Sequence, residues 1–435
     1  MSRTVSPGVA SGDRRPELHP LLATLFADWC AASVPFVLLR VPSNVEAPTG
    51  DVDVLVDPRH VPRLRDLAQR RGFVVVPGWE SARNTLLATY HSDTGNWLLL
   101  DVVSRVTFAN GRLQLPVAAD VLARRQTADG MVVPASDDAF WLLILHCLLD
   151  RGRVAEHYRA RLREAAATDP GGVVRAALVA QRGTDVAAAA VVDATRRADW
   201  LALASAGRGL DATWRSRLPL TTRLGGLASP FARYARWPGL LARRRGLSVA
   251  LLGPNGVGKS TLADALERGF PLPSRRIYMG LWKVDDGLPP PVAALLRVPR
   301  AWARFAAGEY HRIRGRLVIF DRYVHEARLP AQPPLLRLKR AYFWLLARSC
   351  PSPDWVFILD VPGKLAYRRK QENPPDELER ERTLYRGLAD VLPRTSLIDA
   401  SRDASAVQAE VSTRVWQLQS RRWRKADARH AGDHD

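Results

Sequence analysis

The segment 247–262 constrains the fold most strongly, because it predicts a buried strand, a glycine-rich turn and the start of a helix. The turn has the spacing G-x-x-x-x-G-K-S. Glycines at these positions allow tight turns and let backbone N–H groups approach an anion that a Cβ would obstruct. The helix begins near Lys259, so the positive end of its dipole faces the same anion. We therefore expect a phosphate-binding loop inside an α/β domain.

This P-loop (253–261) is predicted to bind ATP together with Mg²⁺. Lys259 would reach the β- and γ-phosphates as a point charge, and the Ser260 hydroxyl would be a Mg²⁺ ligand. The alternative is a turn that only connects a strand to a helix, and the Lys-Ser pair followed by a helix argues against it. The predicted nucleotide-binding residues are Gly253, Asn255, Gly256, Val257, Gly258, Lys259, Ser260 and Thr261.

The composition is that of a globular protein. A chain of 435 residues is long enough for two or three domains, each with its own core. Its three cysteines are far apart and lack metal-site spacing, which favours reduced thiols. The N-terminus lacks the apolar segment of a secretion signal, and the apolar run 140–149 is too short to span a bilayer. We therefore expect a soluble, cytoplasmic protein without a transmembrane segment, with a homodimer left open.

The formal net charge of +20 comes mostly from arginines spread along the whole chain. Such a charge fits nucleic acid, an anionic membrane surface or small acidic substrates. The denser runs at 223–245 and 421–429 do not interleave aromatic residues in a nucleic-acid-binding module. We therefore expect a cationic surface around phosphate-handling sites, and we do not expect specific nucleic-acid binding.

The order of periodic segments predicts two folded parts. From residue 20 to 103 the pattern is helix, strand, strand, helix, strand, helix, strand, which indicates an α+β domain. Several helices follow, then a basic segment punctuated by Gly and Pro, and then alternating strands and helices that indicate a parallel sheet. The predicted divisions are a disordered lead 1–19, an α+β domain 20–135, a helical segment 136–206, a basic linker 207–246, a P-loop domain 247–422 and a disordered tail 423–435.

Two further strands in the P-loop domain are predicted to deliver charged residues to the same site. The apolar segment 316–321 ends at Asp321, which Arg322 follows, and a strand over 353–360 precedes a helix that carries Arg368 and Arg369. Parallel sheets bind ligands at the carboxyl ends of their strands. Together with the P-loop and the Ile-Asp-Ala element at 398–400, this ordered set resembles the thymidylate kinase family over about residues 247–419.

The resemblance implies phosphoryl transfer from ATP to a small acceptor, a nucleotide being one candidate. Lys259 would hold the donor, and Asp321 would bind Mg²⁺ or orient the acceptor. Arg322 would contact the transferring or acceptor phosphate, while Arg368 and Arg369 would close on the triphosphate. Each basic residue could instead form a structural ion pair or a solvated helix face. Because Asn255 stands where the family usually has an acidic residue, thymidylate does not follow as the acceptor.

A second candidate site lies in the N-terminal part. Asp51 and Asp53 alternate along a strand, so both carboxylates share one face and could hold Mg²⁺, with Asp101 on a later strand as a third ligand. This pattern resembles the polymerase-β-like nucleotidyltransferases. The alternative is an edge strand with solvent-facing acids. Because Arg40 and the residues after it replace the family's Gly-Ser motif, a degenerate domain that only binds or orients a substrate is equally open.

The leading hypothesis is therefore an ATP- and Mg²⁺-dependent kinase acting through the P-loop domain. The second hypothesis is nucleotidyl transfer through Asp51, Asp53 and Asp101, with release of pyrophosphate. The third is a regulatory protein that binds ATP and has little turnover.

Overall fold

The computed structural model describes residues 18–42, 44–48, 50–77, 84–109, 113–182, 186–217, 246–281, 290–331 and 335–432. The chain forms an N-terminal and a C-terminal compact unit. Among the described helices, none combines the length and the apolar character that crossing a membrane requires. The predicted disordered lead falls almost entirely on residues 1–17, which lie outside the described ranges.

The N-terminal unit is built on a five-stranded mixed sheet with the order β1-β2-β5-β4-β3. Strands β1 and β2 are antiparallel, and β2 and β5 are parallel. One face of the sheet packs against two helices through apolar side chains such as Leu25, Trp29 and Leu64. The strands and helices are β1 (Phe36–Leu38), β2 (Asp51–Val56), β3 (Val74–Val75), β4 (Asn84–His91), β5 (Asn96–Val103), α1 (Pro20–Ala31) and α2 (Val61–Arg70).

Strand β4 corrects the predicted element order, in which the sixth element of this part was a helix. Residues Asn84–His91 form a strand between β3 and β5. Its centre, including Leu87 and Ala88, is buried, and Leu87 joins the apolar core beneath the sheet. Pairing with β3 and β5 on its two sides decided the conformation of a segment whose local pattern was ambiguous.

Short hairpins and a helical layer complete the N-terminal unit. The hairpins pair β6 with β7 and β8 with β9. A second apolar core joins the helices to the other face of the sheet, with Trp141 and Leu145 fully buried in it. These elements are β6 (Val106–Phe108), β7 (Leu113–Leu115), α3 (Ala118–Ala123), β8 (Gln126–Ala128), β9 (Met131–Val133), α4 (Ser136–Leu145), α5 (Glu156–Ala166), α6 (Gly172–Arg182), α7 (Val186–Arg196) and α8 (Trp200–Arg217).

Helix α8 corrects the start of the predicted linker 207–246, because residues 207–217 continue the helix. The glycines in this stretch were expected to end the helical segment. Instead, a Cβ on Gly207 would lie 2.9 Å from the Leu148 Cβ, so this glycine permits close packing. Within the predicted helical segment 136–206, α7 and α8 are separated near Ala198, which has a positive φ of 56°. Residues 218–245 of the predicted linker lie outside the described ranges.

The C-terminal unit is a five-stranded parallel sheet flanked by helices, as the alternating pattern predicted. Its order is β11-β12-β10-β13-β14, so the first strand lies in the middle. Alternate residues of the strands enter separate cores on the two faces of the sheet. The elements are β10 (Ser248–Leu252), α9 (Lys259–Gly269), β11 (Ser274–Tyr278), α10 (Pro290–Ile313), β12 (Leu317–Asp321), α11 (Leu336–Arg348), β13 (Trp355–Asp360), α12 (Gly363–Arg369), α13 (Pro375–Val391), β14 (Thr395–Asp399) and α14 (Ala404–Gly432).

Helix α14 corrects the predicted disordered tail 423–435, because the helix runs to Gly432. Trp423 is only 3 % exposed, and its ring lies 5.8 Å from that of Trp416. Burial of a large aromatic side chain stabilises helical residues that charge alone suggested would be loose. Residues 433–435 lie outside the described ranges.

Candidate active site

The P-loop connects β10 to α9 at the carboxyl edge of the parallel sheet. Its glycines Gly253, Gly256 and Gly258 have φ values of 141°, 78° and 94°, a region that other residues rarely adopt. Glycine is also needed for space: a Cβ would lie 2.7 Å from the Leu359 carbonyl at Gly253, and 2.7 Å from the Ala366 carbonyl at Gly256. The sequence therefore dictates this tight loop, which opens into the N-terminus of a helix.

Lys259 is held inside this loop and is only 6 % exposed. Its Nζ donates hydrogen bonds to the carbonyl oxygens of Gly253 at 2.7 Å and Pro254 at 2.5 Å. Burial, and secondarily the charge of Arg322, lower the pKa of Lys259 to about 7. An anion bound at the loop would favour the charged form of this lysine and raise its pKa.

Ser260 and Asp321 are adjacent, at the start of α9 and the end of β12. The parallel register sets Asp321 beside Leu251 of β10, and the Ser260 Oγ donates to the Asp321 Oδ2 at 2.9 Å. Asp321 is 1 % exposed and also accepts a hydrogen bond from the Arg276 Nη2 at 2.5 Å, while Arg276 pairs in addition with Asp264. A hydroxyl beside a carboxylate is a ligand set that suits Mg²⁺.

Arg322 joins the P-loop to the segment after β12. Its Nη2 donates to the Asn255 Oδ1 at 2.5 Å, and its Nη1 donates to the Glu326 Oε1 at 2.9 Å. Glu326 is buried and also accepts a hydrogen bond from the Tyr385 hydroxyl of α13 at 2.8 Å. Arg322 has a positive φ of 68°, which is uncommon for a residue with a side chain. The guanidinium that was predicted to contact phosphate is thus paired with a buried carboxylate here.

Arg368 and Arg369, which were predicted to close on the triphosphate, lie at the end of α12, the helix whose Ala366 carbonyl approaches Gly256. Arg368 is exposed. Arg369 instead donates from its Nη1 to the Ala400 carbonyl at 2.9 Å, just after β14. The structure therefore brings the helix to the P-loop but directs the Arg369 side chain towards the neighbouring strand end.

Several residues of this site were not predicted from the sequence. Burial, and secondarily the nearby Glu377, raise the pKa of Glu381 on α13, while the charge of Lys259 and the Asn255 backbone oppose this rise. Glu381 and Tyr385 are four residues apart on one helix, and this spacing could have indicated that they share a face. Arg276 and Glu326 gave no such signal, because their partners are distant in sequence and meet them only in the folded sheet.

In the N-terminal unit the structure brings Asp51, Asp53 and Asp101 together. The parallel register of β2 and β5 pairs Asp53 directly with Asp101, and one oxygen from each of the three carboxylates lies within 4.8 Å of the others. Burial and the neighbouring Asp53 raise the pKa of Asp101 to about 7, and burial also raises the pKa of Asp53. Arg40 offsets part of this negative charge, since its Nη2 lies 2.6 Å from the Asp53 Oδ2.

Comparisons with known proteins give distant likenesses. No protein-family model matches the sequence, and no curated protein matches it. Thymidylate kinase from Candida albicans is similar in structure, with 17% identity and a TM-score of 0.33 over 40% of this chain and 93% of that chain. Deoxyadenosine kinase from M. mycoides with bound dATP is similar with 14% identity and a TM-score of 0.30 over 39% of this chain and 97% of that chain. The function has to be argued from the site itself.

Proposed function

We propose that the C-terminal unit is a kinase that uses ATP and Mg²⁺ to phosphorylate a small acceptor. The observation that carries this proposal is the P-loop itself, with three glycines at positive φ and the buried Lys259 inside the loop. Loop N–H groups, a helix N-terminus and a lysine together form a site for a polyanion. The adjacent Ser260 and Asp321 supply the oxygen ligands that a nucleotide-bound Mg²⁺ requires.

The side chains have distinct roles in this proposal. The P-loop and Lys259 bind and orient the β- and γ-phosphates, while Ser260 and Asp321 hold the metal. When bound, Mg²⁺ neutralises charge that develops on the phosphate oxygens. Arg322 stays fixed by Glu326 and positions the loop through Asn255. Arg368, exposed at the end of the helix that contacts the loop, is a cation available to close on the triphosphate.

A nucleotide is one acceptor class that this proposal includes, on the resemblance of the ordered motifs to thymidylate kinases. Thymidylate itself has no specific support. The P-loop position 255 is an asparagine, and its side chain is engaged by Arg322.

The proposal is tested by ATP binding and acceptor-dependent ADP release in the full chain. We expect Mg-ATP to bind the parent protein, and Lys259→Ala to lose both binding and ADP release, because the phosphates lose their charge partner. Lys364→Ala is the matched control, since this exposed lysine lies on the neighbouring helix α12. Retention of acceptor-dependent ADP release by Lys259→Ala would contradict the kinase function. ATP binding that survives Asp321→Ala, with no acceptor-dependent turnover, would favour a regulatory protein.

A second candidate function is nucleotidyl transfer in the N-terminal unit. It is favoured by the carboxylates of Asp51, Asp53 and Asp101, whose spacing suits one or two divalent cations. This activity would release pyrophosphate from a nucleoside triphosphate, and Asp53→Ala would abolish the release whereas Lys259→Ala would not. Asp66→Ala, which changes a half-exposed aspartate on α2, is the control. No metal-dependent pyrophosphate release from the parent protein would leave a domain that only binds or orients a substrate.

A further inference from the structure

Helix α11 exposes large apolar side chains on the surface of the C-terminal unit. Leu338, Trp344 and Leu345 are 67%, 59% and 53% exposed. Because a helix has about 3.6 residues per turn, Leu338 and Leu345 lie on one stripe of the helix, and Trp344 lies beside it. The other side of the helix supplies Leu346 and Ala347 to the core of the unit. The outer face of such a helix is ordinarily polar, and exposed apolar side chains that cluster mark an interaction surface.

The charged residues of the same helix are all basic. The helix contains no acidic residue, and its basic residues are Arg337, Lys339, Arg340 and Arg348. The three arginines are exposed, and the Arg348 guanidinium lies 4.4 Å from the centre of the Trp344 ring. Cations therefore border the exposed apolar side chains. This combination suits the surface of an anionic bilayer, where leucine and tryptophan enter the headgroup region and arginine meets the lipid phosphates.

The acidic residues of the elements that pack against α11 do not neutralise this charge. The short helical turn after β12 packs against α11, and its carboxylate, Glu326, is buried and paired with an arginine. Helix α10 meets α11 where the Tyr342 hydroxyl donates to the Ala294 carbonyl at 2.7 Å. The one acidic residue of α10, Glu309, accepts two hydrogen bonds from Arg312 at 2.6 Å. The surface of α11 thus keeps its positive charge.

A membrane surface fits this face better than a second copy of the chain. A symmetric dimer through α11 would bring the arginines of the two copies against one another, whereas anionic headgroups offset their charge. The apolar surface also continues beyond the helix, because Leu295 of α10 directly follows Ala294 and is 77% exposed. A bilayer accepts such side chains without a complementary pocket.

We propose that α11 binds the surface of an anionic phospholipid bilayer. The helix lies parallel to the membrane, its apolar side chains enter the boundary between headgroups and acyl chains, and its guanidinium groups contact the lipid phosphates. Binding through this face is peripheral and does not depend on the P-loop. The residues that face the bilayer are Leu338, Trp344 and Leu345, with Arg337, Arg340 and Arg348.

The experiment measures sedimentation of the full chain with vesicles of phosphatidylcholine, and with vesicles of equal parts phosphatidylcholine and phosphatidylglycerol. We expect binding to the anionic vesicles only. Leu338→Gln combined with Leu345→Gln removes the apolar stripe and should weaken this binding about tenfold or more. The matched control is Val186→Gln combined with Leu201→Gln, which changes two exposed apolar residues of the N-terminal unit and should leave binding unchanged.

A second pair of variants tests the charge. Arg337→Gln combined with Arg340→Gln should weaken binding to the anionic vesicles about tenfold. Arg421→Gln combined with Arg424→Gln removes the same charge from two exposed positions on α14 and should weaken it much less. Because all the changed side chains are exposed, the circular dichroism and the urea midpoint of each variant should match those of the parent protein.

Several results would overturn the inference. Binding that survives the leucine changes and disappears in salt would show only the attraction of a chain of net charge +20 to an anionic surface. Equal losses in the test and control pairs would remove the assignment to α11, and equal binding to both kinds of vesicle would show that charge is not needed. If the parent protein binds no vesicles, the inference fails. A concentration-dependent dimer that the leucine changes abolish would then assign the face to a second copy.

Discussion

The packing of α12 on the P-loop gives a stability prediction whose size follows from the structure. In Gly256→Ala, the new Cβ would lie 2.7 Å from the Ala366 carbonyl oxygen, in a residue whose φ is 78°. A left-handed conformation costs a residue with a side chain about 1–2 kcal/mol. Overpacking against backbone that must shift costs a further ~1–3 kcal/mol. We therefore expect Gly256→Ala to destabilise the C-terminal unit by roughly 2–5 kcal/mol.

Two other glycines serve as graded controls. Gly258 has a φ of 94° but open space around its Cβ position, so Gly258→Ala should cost only the conformational part, about 1–2 kcal/mol. Gly387 lies within helix α13 with open space around it, so Gly387→Ala should stabilise by about 0.5–1 kcal/mol. The free energy of unfolding is measured in urea, and hydrogen exchange of the peptide spanning β10 and α9 localises the effect. Equal destabilisation by Gly256→Ala and Gly258→Ala would refute the close contact between α12 and the P-loop.

Three further predictions concern buried charges. The pKa of Lys259 falls from 10.5 to about 7 on folding, so the unfolded chain binds more protons than the folded chain between these pH values. The stability of the ATP-free C-terminal unit should therefore rise with pH over this interval, and Lys259→Met should abolish this pH dependence in thermal unfolding. The pKa of Asp101 rises from 3.8 to about 7 on folding, so the stability of the N-terminal unit should fall as pH rises through this interval. Asp101→Asn should therefore raise the Tm of the N-terminal unit at pH 8 in the presence of a chelator, and a lower Tm would contradict this prediction. Glu326→Gln leaves the charge of Arg322 without its buried partner, so the free energy of unfolding measured in urea should fall by about 3 kcal/mol. A change near zero would show that this ion pair does not stabilise the unit.

The sequence predicted the parts of the fold that depend on local pattern. The glycines of the P-loop and the alternation of strands and helices led to the parallel sheet that the structure has. Period-two spacing set Asp51 and Asp53 on one face, and the register of β2 and β5 then brings Asp101 beside them. Roles for these residues in metal binding and catalysis stay predictions.

The parts that depend on partners distant in sequence could not be predicted. Arg276 meets Asp321 across 45 positions, and Tyr385 meets Glu326 across 59. Only the strand order of the folded sheet and the docking of α13 bring these groups together. Strand β4 was missed for a different reason, because its local pattern was ambiguous and pairing with β3 and β5, both close in sequence, decided its conformation. Arg322 was expected to contact a phosphate, but in the structure it forms an ion pair with the buried Glu326, which the sequence did not indicate.

The most direct test of the kinase function follows the γ-phosphoryl group itself. The full chain is incubated with γ-labelled Mg-ATP and each acceptor, beside Lys259→Ala and the control Lys364→Ala. The account predicts that the label moves to one acceptor class with the parent protein and the control, and that Lys259→Ala abolishes the transfer. Label that stays on ATP with every acceptor, or transfer that persists in Lys259→Ala, would contradict it.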